Sequence, residues 1–287
     1  MRVDEWLSPY YGYSLQGVDW LVQRKTRYQL LEVGRNVAFG NFLRLDGAFQ
    51  CSETDEFFYH EPIVHSALLM AAAPRRVLII GGGDGGAAEE ALKWPQLECV
   101  DHVEIDAEVV DACRTYLRSV HRGVLDGADA RHRLFIGDGR AWLTQAARGQ
   151  ASARYDAIVL DLTDPGGPSS ELHDHGFYSA CKAALAPGGT LSLHIAAPWA
   201  QSESCAERIL TLRGVFDCVM PFEVSIPMSG GPWLMAVCGA AGMSVPSRAQ
   251  TAAQLGALRG PALQCISEQT FVRQFALAPY LQRRLVA

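Results

Sequence analysis

The residue that best discriminates among chemistries is Asp84. It sits inside "VLIIGGGDGGAAEEAL", residues 77–92, where a short apolar run meets glycines and then a helix-like segment. Gly81, Gly83 and Gly86 fit G-x-G-x-x-G, the pattern that brings a nucleotide's phosphates to a helix N-terminus. A carboxylate in that loop repels a phosphate. More acids follow, each at the end of a strand-like run: Glu104 and Asp106 in "VEIDA", Asp138 in "GDGR", Asp161 and Asp164 in "LDLTDPGGP". Each has a bland account of its own. Glu104 could be the ribose acid of any nucleotide fold. Asp138 could cap a helix starting near Arg140, Asp164 could start a turn before Pro165, and Asp84 could face solvent. Those separate accounts leave the clustering unexplained. Carboxylates gathered at one rim raise one another's pKa unless a cation stands among them, so the rim calls for a positively charged ligand.

A dinucleotide would set a pyrophosphate beside Asp84, and S-adenosylmethionine would set its own carboxylate there. Decarboxylated S-adenosylmethionine carries an ammonium and a sulfonium and no carboxylate. One charge pair at contact contributes roughly 4 kcal/mol at an effective dielectric near 20, before desolvation. A fraction of that separates the two nucleosides.

The elements that must position these acids are set by the hydrophobic pattern. Up to about residue 70 the chain is β-rich: "RYQLLEV", "RNVAFG" and "NFLRLDGAFQC" hold short alternating segments, and Asp46-Gly47 signals a hairpin. "FFYHEPIVHSALLMAAAP" predicts a helical connector. From Arg75 onward strands and helices alternate: "RRVLII", a helix over 87–94, "CVDHVEI", a helix over 107–117, "RLFIGD", a helix over 140–147, "YDAIVLD", the helix "SACKAALAPGG" and the strand "TLSLHIA". This rhythm predicts a parallel sheet with helices on both faces, with ligands beyond the carboxyl ends of the strands. After a helix over 202–212, "FDCVMPF" and "WLMAVCG" form a closing pair of strands. "AAGMSVPSRAQTAAQ" reads as a surface segment, and "FVRQFALAPYLQRRL" is apolar enough to pack back onto the body. The division expected is an N-terminal β-strand domain over 1–70 and a Rossmann-like catalytic domain over 71–287.

Composition narrows the class. The chain has 287 residues, 49% hydrophobic and 20% charged, with a net charge of −6. That is an ordinary globular composition, without the basic face of a nucleic-acid binder. No run spans a bilayer and "MRVDEWLSPYYGYS" lacks the apolar core of a signal peptide, which predicts a cytoplasmic protein with no membrane partner. The eight cysteines form no C-x-x-C pair and read as buried thiols rather than a zinc site or a disulfide framework.

These residues resemble the polyamine aminopropyltransferases, the spermidine synthase family. The resemblance rests on "TRYQ", "LDGAFQCSETDEFFYHE", "VLIIGGGDGG", "VEID", "GDGRAWL", "LDLTDPGGP", Phe177-Tyr178 and "FALAPYL", in family order from about residue 20 to the end. It implies a Rossmann-like methyltransferase-type α/β fold behind a small N-terminal β domain. The implied reaction moves an aminopropyl group from decarboxylated S-adenosylmethionine to a polyamine, putrescine by default, and releases 5′-methylthioadenosine. No metal or other cofactor is implied. By the same resemblance Glu104 holds the ribose, Asp138 and Gly139 meet the adenine, and Gln29 contacts the nucleoside. Asp84 binds the aminopropyl ammonium together with Asp161, and Pro168 and Leu172 line the walls. Tyr59 and Asp164 grip the acceptor amines, with His60 and His194 on the same side. Asp161, nearest the reacting carbon, is the expected base. His65, on the same helix as His60, is expected to be structural. Family members are commonly homodimers or homotetramers.

Two departures lie on the acceptor side. His194 replaces the usual Gln, and "SIPMSGGPW" has Met228 and Ser229 where a tyrosine often closes over the acceptor. Spermidine, agmatine or another amine is therefore an alternative acceptor, and a non-catalytic polyamine or nucleoside binder is an alternative class. A histidine has an ordinary pKa near 6.5, so at the pocket wall His194 would make acceptor KM rise as pH falls; turned away, it would be a core residue. A methyltransferase or a dinucleotide oxidoreductase fits the acidic rim less well.

Overall fold

The computed structural model describes residues 1–147, 154–165 and 167–286. Gly166 of the "DPGGP" motif lies outside them. The chain opens with an antiparallel hairpin of β1 (Arg2–Ser8) and β2 (Tyr11–Gln16), and continues into a four-stranded antiparallel sheet of β3 (Asp19–Lys25), β4 (Leu30–Asn36), β5 (Gly40–Leu45) and β6 (Ala48–Ser52). The hydrophobic pattern reveals β4 to β6 but not the first three strands, whose alternation is broken by tyrosines and charged residues. At the β5–β6 turn Asp46 and Gly47 both have positive φ, 47° and 88°, and Leu45 pairs with Ala48. That is the mirror-image turn whose twist suits a two-residue hairpin.

Helix α1 (Phe57–Met70) leads to the second sheet. Its seven strands are β7 (Arg76–Gly81), β8 (Cys99–Glu104), β9 (His132–Ile136), β10 (Tyr155–Asp161), β11 (Leu185–Ala196), β12 (Cys218–Ile226) and β13 (Gly231–Gly239), in the order β12-β13-β11-β10-β7-β8-β9. Five run parallel in the centre and on one side, and β12 joins them in direction. β13 is wedged antiparallel between β11 and β12, so the sheet is mixed where the alternating pattern predicted it parallel. A tight hairpin between β12 and β13 leaves no room for a crossover helix, which forces this reversal.

Helices cover both faces. The connecting helices are α2 (Gly86–Leu92), α3 (Ala107–Tyr116), α4 (Arg118–His121), α5 (Gly139–Ala147), α6 (His175–Ala184) and α7 (Ser202–Arg213); α8 (Arg248–Leu255), α9 (Glu268–Gln274) and α10 (Pro279–Val286) come after the sheet. Strand β7 is buried on both sides: Val77 and Ile79 face α1 and α2, while Leu78 and Ile80 face the layer of α5, α6 and α7. This is why it reads as an unbroken apolar run. The expected glycine stop of α6 is displaced. The helix ends at Ala184 and the chain enters β11 at Leu185, with a bulge before Thr190. The expected surface segment contains α8, started by a reciprocal Ser247–Gln250 capping box. The tail packs back through Phe271, Leu281 and Leu285. All eight cysteines are free, six of them buried. Among the described residues no helix is long and apolar enough to cross a membrane.

The four-stranded sheet roofs the strand ends. Leu31, Val33, Leu43, Leu45 and Cys51 pack on Val109, Val110 and Cys113 of α3.

Candidate active site

The glycine loop bends sharply enough that no side chain fits it. Gly81, Gly82 and Gly85 have φ of 83°, 71° and 81°. A Cβ on Gly81 would stand 2.1 Å from the Asp161 carbonyl oxygen, and one on Gly82 2.6 Å from its Oδ2. β7 and β10 are neighbours with Gly81 opposite Asp161, so the glycines let the two strand ends close up around the acids. Asp84 is not turned to solvent. It is 6% exposed and its Oδ1 accepts from Gly86 N–H at 2.8 Å. Although burial disfavours its charge, neighbouring His60 and the Gly86 amide hold its carboxyl below the ordinary range.

One cavity joins the strand ends to the roof. Its lining includes Gln29, Tyr59, Asp84, Glu104, Asp138, Gly139, Asp161, Asp164, Pro168, Leu172 and His194. Of the site residues implied by the resemblance, His60 is outside this lining, as is the rim acid Asp106. His60 stands behind the acids, with Nδ1 2.8 Å from Glu56 Oε2 and Nε2 3.4 Å from Asp84 Oδ1. His65 is structural: Glu90 and the Trp94 indole hold its two ring nitrogens at 2.9 Å, joining α1 to the end of α2.

At the glycine-loop end, Glu104 accepts from Asp106 N–H at 2.8 Å. Burial pushes its carboxyl up to about 7, so it gains from donors that a ligand would bring. Asp138 serves two purposes. Its Oδ1 accepts from Arg140 N–H at 2.7 Å, as the capping account expects, and the residue still faces the cavity. A Cβ on Gly139 would meet Ile80 at 2.4 Å, so α5 can start this close to β7 only with glycine there.

At the other end, Asp161 Oδ2 is buried and accepts no hydrogen bond. Burial and the charge of Asp84 raise the carboxyl to about 6, against the opposing pull of His60, Tyr59 and His194. His194 faces the cavity rather than the core. Tyr59 Oη lies 3.3 Å from its Nδ1 and Asp164 Oδ1 lies 3.2 Å from its Nε2. Burial opposes the charge of Asp164, but His194 and Arg208 hold its carboxyl below the usual range.

Several residues here escape the sequence pattern. Glu5 reaches the cavity from β1, its Oε2 accepting from Tyr13 Oη and Phe49 N–H, both at 2.7 Å. Trp233 faces His194 edge-on at 6.0 Å, and its indole donates to the Ser229 carbonyl at 2.9 Å. It occupies the wall that Met228 and Ser229 leave without a tyrosine; Met228 itself is buried beneath the hairpin strands. Asp106 caps α3 through Glu108 N–H and accepts from Thr26 Oγ1 at 2.7 Å and Gln29 Nε2 at 3.2 Å. Arg208 of α7 donates to the Ile195 carbonyl on β11 and to His173 Nδ1, and its guanidinium lies 3.7 Å from Asp164 Oδ1. Two of these leave a local signal: Asp106 as an acid at a strand end, and Arg208 as a charge on the buried face of α7.

Cys51, His60 and Asp84 bring donor atoms within 4.8 Å of one another. Burial and the adjoining Asp84 and Glu56 charges push the Cys51 thiol well up, and His60 and Asp84 already engage each other. The trio forms a packed polar cluster. An aspartate pair beside a glycine loop, with His60 behind it and no lysine or arginine paired to it among the described residues, suits a cationic ligand and no phosphate.

The comparisons agree with this geometry. Residues 56–246 match the spermine/spermidine synthase domain and residues 5–53 the spermidine synthase tetramerisation domain. A polyamine aminopropyltransferase of Nitrosomonas europaea is 44% identical over 231 residues, covering 80% of this chain and 69% of the relative. One of Escherichia coli is 33% identical over 207 residues, covering 72% and 69%. Among solved structures, a spermidine synthase in complex with the transition-state analogue AdoDATO has a TM-score of 0.86 at 24% identity, covering 100% of this chain and 95% of the other. The spermidine synthase of Thermotoga maritima has a TM-score of 0.86 at 23% identity, covering 100% and 94%. The fold and the enzyme class read from the sequence thus stand, and the chain belongs to the spermine/spermidine synthase family of polyamine aminopropyltransferases.

Proposed function

We propose that this enzyme transfers the aminopropyl group of decarboxylated S-adenosylmethionine to a diamine, with putrescine as the default acceptor, and releases 5′-methylthioadenosine. The observation that carries this reading is Asp161: a carboxylate oxygen buried at a strand end, without a hydrogen-bond partner, between Asp84 and Tyr59. An acceptor amine with a pKa near 10 is protonated at neutral pH and must lose a proton before it attacks. In this mechanism Asp161 takes that proton. The amine nitrogen forms a bond to the methylene carbon beside the sulfonium, the carbon–sulfur bond breaks, and its electron pair returns to sulfur. The leaving thioether is neutral, so the step needs neither a general acid nor a metal.

In the same reading Glu104 accepts from the ribose hydroxyls, and Asp138, Gly139, Pro168 and Leu172 form the adenine wall. Gln29 adjoins the nucleoside. Asp84 receives the aminopropyl ammonium. Tyr59, Asp164 and His194 hold the acceptor, with Glu5 and Trp233 at the far wall. The spermidine synthase solved with the transition-state analogue AdoDATO supports the donor. The match to a tetramerisation domain, with Trp6 and Tyr10 exposed on β1 and in its turn, supports a homo-oligomer. Light scattering distinguishes dimer from tetramer.

The direct test incubates the protein with decarboxylated S-adenosylmethionine and putrescine, spermidine or agmatine, and measures 5′-methylthioadenosine and the lengthened amine by mass spectrometry. Turnover with putrescine is expected. No nucleoside product with any amine would refute the proposal; product with another amine alone would transfer it to that acceptor.

A further inference from the structure

Two histidines adjoin the acid cluster, and their hydrogen-bond surroundings differ. His194 has the Tyr59 hydroxyl on one ring nitrogen and the Asp164 carboxylate on the other. One ring nitrogen thus meets a hydroxyl that can donate and the other a carboxylate that accepts. His60 meets no donor at either nitrogen. Its Nδ1 is 2.8 Å from Glu56 Oε2, and its Nε2 is 3.4 Å from Asp84 Oδ1 and 3.9 Å from Asp161 Oδ2. Ionised carboxylates only accept, and a neutral imidazole has one N–H to offer.

We propose that His60 is a resident imidazolium which gathers Glu56, Asp84 and Asp161 in the free enzyme and thereby sets the protonation of Asp161. The second half of this inference rests on the reading of Asp161 as the base. The first half does not.

The packing supports it. His60 is 1% exposed, and a Cβ on Gly86 would stand 2.3 Å from its ring. The glycine at the start of α2 is what admits the imidazole beside Asp84. The groups that face the ring are Asp55 and Glu56 before α1, Tyr59 in its first turn, Cys51 on β6, Asp84 in the glycine loop and Asp161 at the end of β10. The positive end of α2 opposes a cation here, and so does burial. The adjoining charge and hydrogen bond of Asp84, together with those of Glu56, outweigh burial and hold His60 well above an ordinary imidazole. The ring adjoins the site at Asp84 and Asp161. An incoming ammonium would share Asp84 with a cation already present.

The test begins on the free protein, where no assumption about substrate enters. In ¹⁵N-histidine-labelled protein, both His60 nitrogens are expected to carry protons at neutral pH and above, the signal being identified by its loss in His60→Gln. A His60 with one protonated nitrogen at pH 7 would overturn the proposal. Should His60→Gln fail to fold, Glu56→Gln identifies the same signal, which should then lose its proton at lower pH than in the parent protein. The kinetic arm tracks the acid limb of kcat/KM. Removing a neighbouring cation raises a carboxyl pKa, so His60→Gln should move that limb upward by about one pH unit or more. A uniform fall in activity with an unmoved limb would mean that the residue only shapes the site. If the parent protein transferred no aminopropyl group at all, the functional reading would fail while the nitrogen spectra still decided the imidazolium.

Discussion

The two ends of the cavity are built differently. At the glycine-loop end the groups are backbone turns and the first residues after parallel strands: Gly81 to Gly86, Glu104, Asp138 and Gly139. Each is placed by its own strand, a few residues away in sequence. At the His194 end the groups come from five separate elements: Glu5 on β1, Tyr59 on α1, Asp164 after β10, His194 on β11 and Trp233 on β13. No short segment places any two of them together. The first end can change little without breaking the fold, because the glycines touch the opposing strand. The second can exchange side chains while the backbone stays in place. At this end Trp233 supplies an aromatic wall.

The junction of the two ends should be the most sensitive point. Asp161→Asn should lower kcat by about 10²–10⁴-fold, the range for a lost general base, while calorimetry shows 5′-methylthioadenosine still binding. Near-normal kcat at neutral pH would remove Asp161 as the base. In the parent protein the sign is set by a carboxyl titrating at about 6. Below that pH Asp161 is protonated and cannot accept from the amine, so kcat/KM should decline as pH drops through about 6 and level off above it.

The glycine-loop end should respond next. A hydrogen bond to a charged group contributes about 1.5–3 kcal/mol. Asp84→Asn should therefore weaken the decarboxylated donor by about 10–100-fold and bring its affinity close to that of S-adenosylmethionine. Equal affinities for the two donors in the parent protein would contradict the role given to Asp84.

The roof can be tested apart from catalysis. Asp106→Ala removes the α3 cap and leaves the buried Gln29 amide without its acceptor, while the Thr26 hydroxyl keeps only the Gln29 carbonyl. A cap contributes about 1 kcal/mol and an unsatisfied buried donor about 1–3 kcal/mol. The melting temperature should fall by several degrees. An unchanged melting curve would mean that the apolar packing and the Arg24–Glu108 and Asn41–Tyr116 contacts hold the four-stranded sheet on α3 without help from Asp106.

The smallest effects belong to the His194 end. Trp233→Ala and His194→Gln should each change acceptor KM a fewfold, with Trp233→Ala improving longer amines relative to putrescine and donor KM unmoved. Donor KM shifting in step with acceptor KM would mean that the two ends are not independent.

Much of this molecule is legible one segment at a time. Unbroken apolar runs mark the buried parallel strands, Asp46-Gly47 marks the hairpin, and the acids stand where strands end, because side-chain period and turn chemistry are local properties. The sequence by itself therefore determined the strand-end acids, the glycine loop and the class of charge they would accept. Contact between distant segments determined the rest. The reversal of β13 came from pairing with β11, and Glu5 became a cavity residue only when β1 folded over Phe49. Asp106 joined Thr26 and Gln29 across some eighty positions. His60, which the motif placed beside the acceptor, ended behind Asp84 because Gly86 left space for a ring there and Glu56, one turn earlier on the same helix, drew its other nitrogen. A sequence shows which side chains carry charge, but which charges are buried together depends on how the strands and helices pack.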